Sequence, residues 1–295
     1  VTDVRGRVLP ELDRETIRPT VSTLFDRQLD TGWSPDGVLV VPDVHYPFHP
    51  STGLVTNPDV VDAVVAELRD RTDAPVALGV TSTDDTGRQT AEWIGYSSVV
   101  ERHDVDVVDL HDESATTQVA PAAHEPVRVD LPAPLADRAV VNVPTVRSDP
   151  ELSLVAASAN LALAGNETNP RSGMRAVPAA VDPVVTLVDG TYTHVGGTRA
   201  SQFLLAGDHR AVDLVLREAV DSVEDLPYLD SEGVDTADRL TLGGIALDEI
   251  TESLGGAPSR RDGDSEPGDV MQAGYRLYAR LSGDLLPPQM LEDDA

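Results

Sequence analysis

The chain has 295 residues and a formal net charge of −29, and no lysine occurs in it, so all 22 basic residues are arginine. Its carboxylates are spread over the whole length, which reads as a chain built for molar salt, where a Debye length of about 3 Å screens self-repulsion. The absence of a basic face excludes phosphate-backbone binding and so nucleic acid as a partner. The absence of cysteine excludes disulfides, thiolate nucleophiles, Cys-ligated zinc and iron–sulfur clusters.

The predicted elements alternate. Val38–Val41, a β-branched run after the turn-like Ser34–Gly37, reads as a buried strand that opens the ordered core. Apolar residues at 60, 61, 64, 65 and 68, with Pro58 at the start, have helical spacing. Pro75–Val80 is a second strand, Gln89–Ile94 a short helix and Val105–Leu110 a third strand. The second half continues with a strand over Arg138–Val143, a small-residue helix over Leu152–Ala164, strands over Val184–Val188 and Phe203–Ala206, and a helix over Arg210–Val220. Asn166–Arg175, rich in Gly, Asn and Pro, reads as a loop.

This order implies an α/β fold: a mostly parallel, Rossmann-like sheet flanked by helices. Residues 1–36 are expected as an N-terminal extension and 37–254 as the α/β domain, with room for two lobes at 37–135 and 136–254. Residues 255–269 read as a flexible acidic linker and 270–295 as a C-terminal helix and tail. No run approaches the ~20 apolar residues of a membrane span, and Val1–Pro10 has no charged-then-apolar signal pattern. The expectation is a cytoplasmic protein without a membrane partner. Nothing in the pattern sets the oligomeric state.

In an open parallel sheet, ligands bind beyond the carboxyl ends of the strands. The residues there are Asp43, His45 and His49 after the first strand; Thr81, Ser82, Asp84 and Asp85 after the second; His111, Asp112 and Glu113 after the third; then Arg147 and Asp149, Asp189-Gly190, and Gly207-Asp208. Each also has a plainer reading. His45 and His49, with Asp43, are weak candidates for a divalent cation on a Pro-rich loop. Asp189-Gly190 suits a tight turn, and Asp208 suits a helix cap. Asp213, among apolar neighbours, is either solvent-facing or deliberately buried. Arg147 suits a carboxylate or phosphate, or a surface ion pair. Gly196-Gly197 lacks the spacing of a dinucleotide fingerprint, and no phosphate-binding loop is present.

Several motifs recur in a fixed order: ValLeuValValProAspVal at 38–44, ThrAsnPro opening 56–68, GlyTyr at 95–96, ValValAsnValProThrValArgSerAsp at 140–149, AlaSerAlaAsnLeuAlaLeuAlaGly at 157–165, ThrLeuValAspGly at 186–190, LeuAlaGlyAspHisArgAlaValAsp at 205–213 and LeuThrLeuGlyGly at 240–244. Together they resemble the family called domain of unknown function 362, here a haloarchaeal-type member. The resemblance implies an α/β fold and, in members joined to ferredoxin-like modules, redox-linked metabolism; with no cysteine, that module is absent. Asn160, Asp189, Asp208 and Asp213 match the family pattern directly, and Thr56 opens one of its motifs. Asp43 stands where the family often has Asn, Arg147 where a Lys-x-His begins, and Ala159 where a lysine stands. A more distant similarity runs to the nickel-cofactor lactate racemases, against which the missing lysines count.

Two readings stand at this point. In one, the chain is an enzyme acting on a small anionic metabolite: Arg147 and Asn160, with Thr56, Asp43 and Asp213, bind it, and Asp189 or Asp208 transfers a proton or holds a cation. In the other it is a binding or accessory protein that has lost its relatives' lysine and histidine positions.

Overall fold

The computed structural model of the chain describes residues 2–29, 32–82, 86–120, 126–149, 152–165, 170–220 and 240–255. In chain order the elements are β1 (Thr2–Val8), α1 (Arg14–Gln28), β2 (Val38–Pro42), a 3-10 turn (Pro50–Thr52), α2 (Pro58–Arg71), β3 (Val76–Val80), α3 (Gly87–Ile94), α4 (Ser97–His103) and β4 (Asp106–Asp109). Then come β5 (Ala115–Ala120), β6 (Val127–Pro132), α5 (Ala133–Asp137), β7 (Ala139–Val143), β8 (Thr145–Asp149), β9 (Ser153–Val155), α6 (Ala157–Ala164) and α7 (Pro170–Val181). The described chain ends with β10 (Val185–His194), β11 (Thr198–Gly207), α8 (His209–Ala219), β12 (Leu240–Gly243) and α9 (Leu247–Ser253).

One mixed sheet runs β12-β1-β11-β10-β7-β2-β3-β4, with β8 paired to β10 and β9 to β8. The pairs β10–β7, β7–β2, β2–β3 and β3–β4 are parallel, while β1–β11 and β10–β11 are antiparallel. Strands buried on both faces read as continuous apolar runs, and β2 shows why: Val38 and Val40 pack into one cluster with Ile17 of α1 and Val60 and Val64 of α2, whereas Leu39 and Val41 pack into another with Leu161 of α6 and Val177 of α7. Helices therefore cover both faces. The α2 helix starts where expected, with Asn57 Oδ1 accepting from Asp59 N at 3.0 Å and Pro58 in the first turn.

The order of β2, β3 and β4 proceeds outward in one direction, and the chain then returns to place β7 on the opposite side of β2. The gap between the carboxyl ends of β2 and β7 is therefore a topological switch point, where the two neighbouring connections diverge and leave a crevice.

Several expectations are corrected. Residues ahead of Val38 contribute a strand and a helix to the sheet and its cover: Val4 and Gly6 are buried while Arg7 is exposed, an alternation that two arginines obscure in the sequence. In α1, Asp13 accepts from Thr16 N at 2.8 Å and Ile17, Val21, Leu24 and Phe25 are buried despite Pro19. The stretch Leu152–Ala164 is not one helix, because Ser153–Val155 pairs antiparallel with β8 and the helix begins at Ala157. The presumed loop Asn166–Arg175 runs into α7, which begins at Pro170.

The two short strands read at Val184–Val188 and Phe203–Ala206 are halves of one long hairpin turning at Gly196 and Gly197, both with positive φ. Asp189-Gly190 is thus no turn but lies mid-strand, beside a register shift between Gly190 and Tyr192. A side chain at Gly190 would strike the Phe203 ring. The β5–β6 hairpin was not foreseen. Asp84, Asp85, and the proposed linker and C-terminal helix beyond Gly255 lie outside the described residues.

Candidate functional site

The β2 strand ends at Pro42, and the next residue, Asp43, is held by its backbone. Its N–H donates to Val143 O at the end of β7 and to Thr56 Oγ1, and its carbonyl accepts from Thr56 N. Thr56 Oγ1 in turn donates to Val143 O at 2.6 Å. Thr56 is therefore a brace between β2 and β7. With the backbone so fixed, the Asp43 carboxylate lies at the switch point with no solvent exposure.

Arg147 reaches it from β8, the strand that follows β7 after Pro144. Its Nε lies 3.5 Å from Asp43 Oδ2 and its Nη1 3.4 Å from Asp149 Oδ2, both at the outer limit of a hydrogen bond, and its guanidinium lies 5.2 Å from the Tyr46 ring centroid. Asn160, in the first turns of α6, donates to Val41 O at 3.1 Å and to Asn142 Oδ1 at 2.8 Å, tying that helix to β2 and β7. From the other side His45 Nδ1 meets Thr81 Oγ1, beyond the end of β3, at 2.8 Å, and its Nε2 lies 3.9 Å from Asp43 Oδ1.

Burial pushes the His45 imidazole down to about 4, against the pull of Asp43 and with help from Arg147 and His111. It is thus neutral at neutral pH. Burial also opposes the charge on Arg147, but Asp43, Tyr46 and Asp149 outweigh it and hold the guanidinium above its ordinary value. Two carboxylates, Asp43 and Asp149, therefore face one guanidinium and a neutral ring. Asp43 Oδ1 and Asn160 Oδ1 are buried beside the His45 ring, and the Asn160 side chain interacts with it.

The remaining candidates fall elsewhere. Asp189 is buried with both oxygens engaged: Oδ2 accepts from Asn57 N at 2.6 Å, and Oδ1 from Thr191 N and Thr191 Oγ1. Asp208 caps α8, accepting from Arg210 N and Ala211 N, with a side chain 46% exposed. His49 braces the 3-10 turn through Ser51, well apart in role from His45. Among the described residues no three His, Asp or Glu side chains gather as a metal site.

Asp213 is buried, and its two oxygens accept from Ala157 N and Ser158 N, so this residue of α8 caps the start of α6 across space. Asp213→Ala should cost about 3 kcal/mol, a lost cap plus two stranded buried donors, read as a lower denaturation midpoint with an unchanged slope. A loss below about 1 kcal/mol would remove this account of how α6 is held.

Sequence reasoning named Thr81 at a strand end but passed over Asn142 and Tyr46. Asn142 was the findable one: a fully buried amide in the apolar strand AlaValValAsnVal, donating to Ala157 O and Thr186 Oγ1. An amide in such a run is costly unless it is bonded, and that is the signal it carries.

A family model described as Domain of unknown function (DUF362) matches residues 38–202, more than half of the chain. The chain belongs to this family. The DUF362 match takes in β2 through the first half of β11, and with them Asp43, His45, Thr56, Asn142, Arg147, Asn160 and Asp189; Asp208 and Asp213 fall beyond it. No curated protein matches the DUF362 chain by sequence. Among solved structures it is similar to the lactate racemase apoprotein from Thermoanaerobacterium thermosaccharolyticum, with 10% identity and a TM-score of 0.42 over 75% of this chain and 57% of that one. The chain thus spans little more than half of that protein's length.

Proposed function

We propose that the chain binds a small metabolite through an anionic group, a carboxylate or phosphate, in the crevice between the ends of β2 and β7. The observation that carries this is the Arg147 guanidinium at a switch point, holding its two carboxylate partners only at 3.4–3.5 Å. Long contacts on two of five N–H groups leave donors for a bidentate ligand. Asn160 and Thr56 fix the two strand ends between which it would sit.

Binding without turnover is favoured over catalysis by the state of His45, the imidazole beside Asp43. A ring held down to about 4 is a weak general base at neutral pH. Asp189, with both oxygens engaged by Asn57 and Thr191, and Asp208, which caps α8 through Oδ1, offer no substitute. A divalent cation remains a candidate cofactor only by way of Asp43 and His45.

The test is thermal stability in multi-molar KCl, as the net charge recommends, with small carboxylates, phosphorylated metabolites and divalent chlorides added. A ligand at ~100 times its dissociation constant should add about 2.7 kcal/mol. Arg147→Lys keeps the charge but loses the planar fork, and should weaken the response about tenfold or more. A response unchanged in Arg147→Lys and in Asp43→Asn would move the site elsewhere.

A further inference from the structure

Resting on that reading, we propose that Asp189 is a positioning residue for the anion site: its carboxylate holds the segment that sets Asp43 in place, and the charge on that carboxylate tunes how tightly an anion binds. The contacts form one chain. Asp189 Oδ2 accepts from Asn57 N at 2.6 Å. Asn57 directly follows Thr56, whose N–H donates to the Asp43 carbonyl and whose hydroxyl oxygen accepts from Asp43 N. On its backbone side Asp189 N donates to Pro144 O at 2.8 Å, and its carbonyl accepts from Thr145 Oγ1 at 3.3 Å, two residues before Arg147. Strand β10 pairs with β7 at Val185 and Thr186 and with β8 at Asp189, so this residue stands where the sheet passes from one to the other. It is thereby tied to the supports of both Asp43 and Arg147.

The role depends on charge. Oδ2 faces Asn57 N, and Oδ1 faces Thr191 N and Thr191 Oγ1. A carboxylate accepts from all three, whereas a protonated carboxyl must turn a proton toward one side, and Thr191 Oγ1 is the one partner able to accept it. The bond from Asn57 N then ends on a neutral acceptor and is roughly half as strong. The groups packed around Asp189 do not take over its charge. Tyr96, which donates to Thr56 O at 2.9 Å, is held neutral well above its ordinary value by burial and by the nearby Asp189 and Asp43. Asn57, Thr191, Thr145 and Leu204, opposite on β11, do not titrate. Burial brings proton uptake by Asp189 to about 6, where His45 is still neutral.

Glycolate and sulfate keep their charge from about pH 5 to pH 8, so they are titrated calorimetrically against the full chain in multi-molar KCl across that range. The wild type should bind about tenfold more weakly at the acid end. Linkage is reciprocal, so binding near pH 6 should release protons, read as heats that differ between buffers. Asp189→Asn has no charge to lose and should bind weakly with no pH dependence. Thr191→Val removes a donor that favours the charged form, so its midpoint should move to higher pH, which a merely structural role would not produce. A flat wild-type profile overturns the role and leaves the anion site standing. So does a pH dependence that survives in Asp189→Asn, which would belong to another group such as His111 or Asp149. If neither anion binds at any pH, the anion-binding reading fails and the positioning role with it. The wild-type profile and Thr191→Val decide the matter even if Asp189→Asn folds poorly.

Discussion

Replacing Arg147 by methionine should lower stability by about 3–5 kcal/mol, the loss expected when one partner of a buried ion pair is removed and the other charge is left uncompensated. Asp43 has no solvent exposure and Arg147 only 3%, so water cannot take over the solvation of the stranded carboxylate. The same argument predicts recovery: Asp43→Asn in the Arg147→Met background neutralises the stranded group, and the double variant should be more stable than Arg147→Met alone. Asp149, on the second contact of the guanidinium, keeps the recovery partial. The measurement is a double-mutant cycle by chemical denaturation at fixed salt. A loss of less than about 1 kcal/mol for Arg147→Met would place the pair with exposed ion pairs and dismantle the description of the cluster as water-excluded.

A second large effect concerns pH. Burial raises the Asp189 carboxyl from 3.8 to about 6, in spite of hydrogen bonds from Asn57 N and Thr191 that favour its charged form. Between these values the folded chain holds a proton on Asp189 that the unfolded chain has released, so its contribution to stability falls as pH rises from about 4 to 6, by on the order of 3 kcal/mol. His45 acts with the opposite sign. Its folded value of about 4 lies below its ordinary 6.5, so below 6.5 the unfolded chain gains a proton the folded one refuses, and its contribution improves as pH rises through the same window.

The two nearly offset one another in the wild type, and removing one exposes the other. Asp189→Asn should therefore gain on the wild type by about 3 kcal/mol between pH 4 and pH 6.5, even though it starts behind through a hydrogen bond it cannot replace. Denaturation midpoints of both proteins at three pH values across this range check it. Parallel curves for the two would mean that Asp189 is not titrating there.

The parts of the fold that were legible in the sequence are those where burial on both faces leaves an uninterrupted apolar run, as in Val38–Val41, or where a cap and a period agree, as at Asn57 and the helix after it. Elements that hide failed for physical reasons. In β1, arginines at the exposed and half-buried positions mask the buried Val4 and Gly6, and α1 is interrupted by Pro19. The crevice was legible as a set of strand ends, which is why Asp43, His45 and Arg147 were named. The roles were not, because Asp189, Asp208 and Asp213 share one residue type and differ only in which backbone N–H groups lie near them. Those partners are distant in sequence for Asp213, local for Asp208, and both for Asp189.

The pairing of β1 has a consequence for the order of assembly. Arg5 stands opposite Ala206 and Asp3 opposite Thr241, so the strand near the start of the sequence lies between two that are synthesised far later. Loop closure over such separations must be met before the contact stabilises anything, and topologies dominated by it fold slowly. During synthesis, β1 emerges long before the two strands that flank it. Until then its backbone donors and acceptors are unpaired, the condition in which strands associate with the wrong chain. The arginines at 5 and 7, at odds with a buried strand on paper, give that waiting segment a charge that discourages it from pairing with another copy of itself.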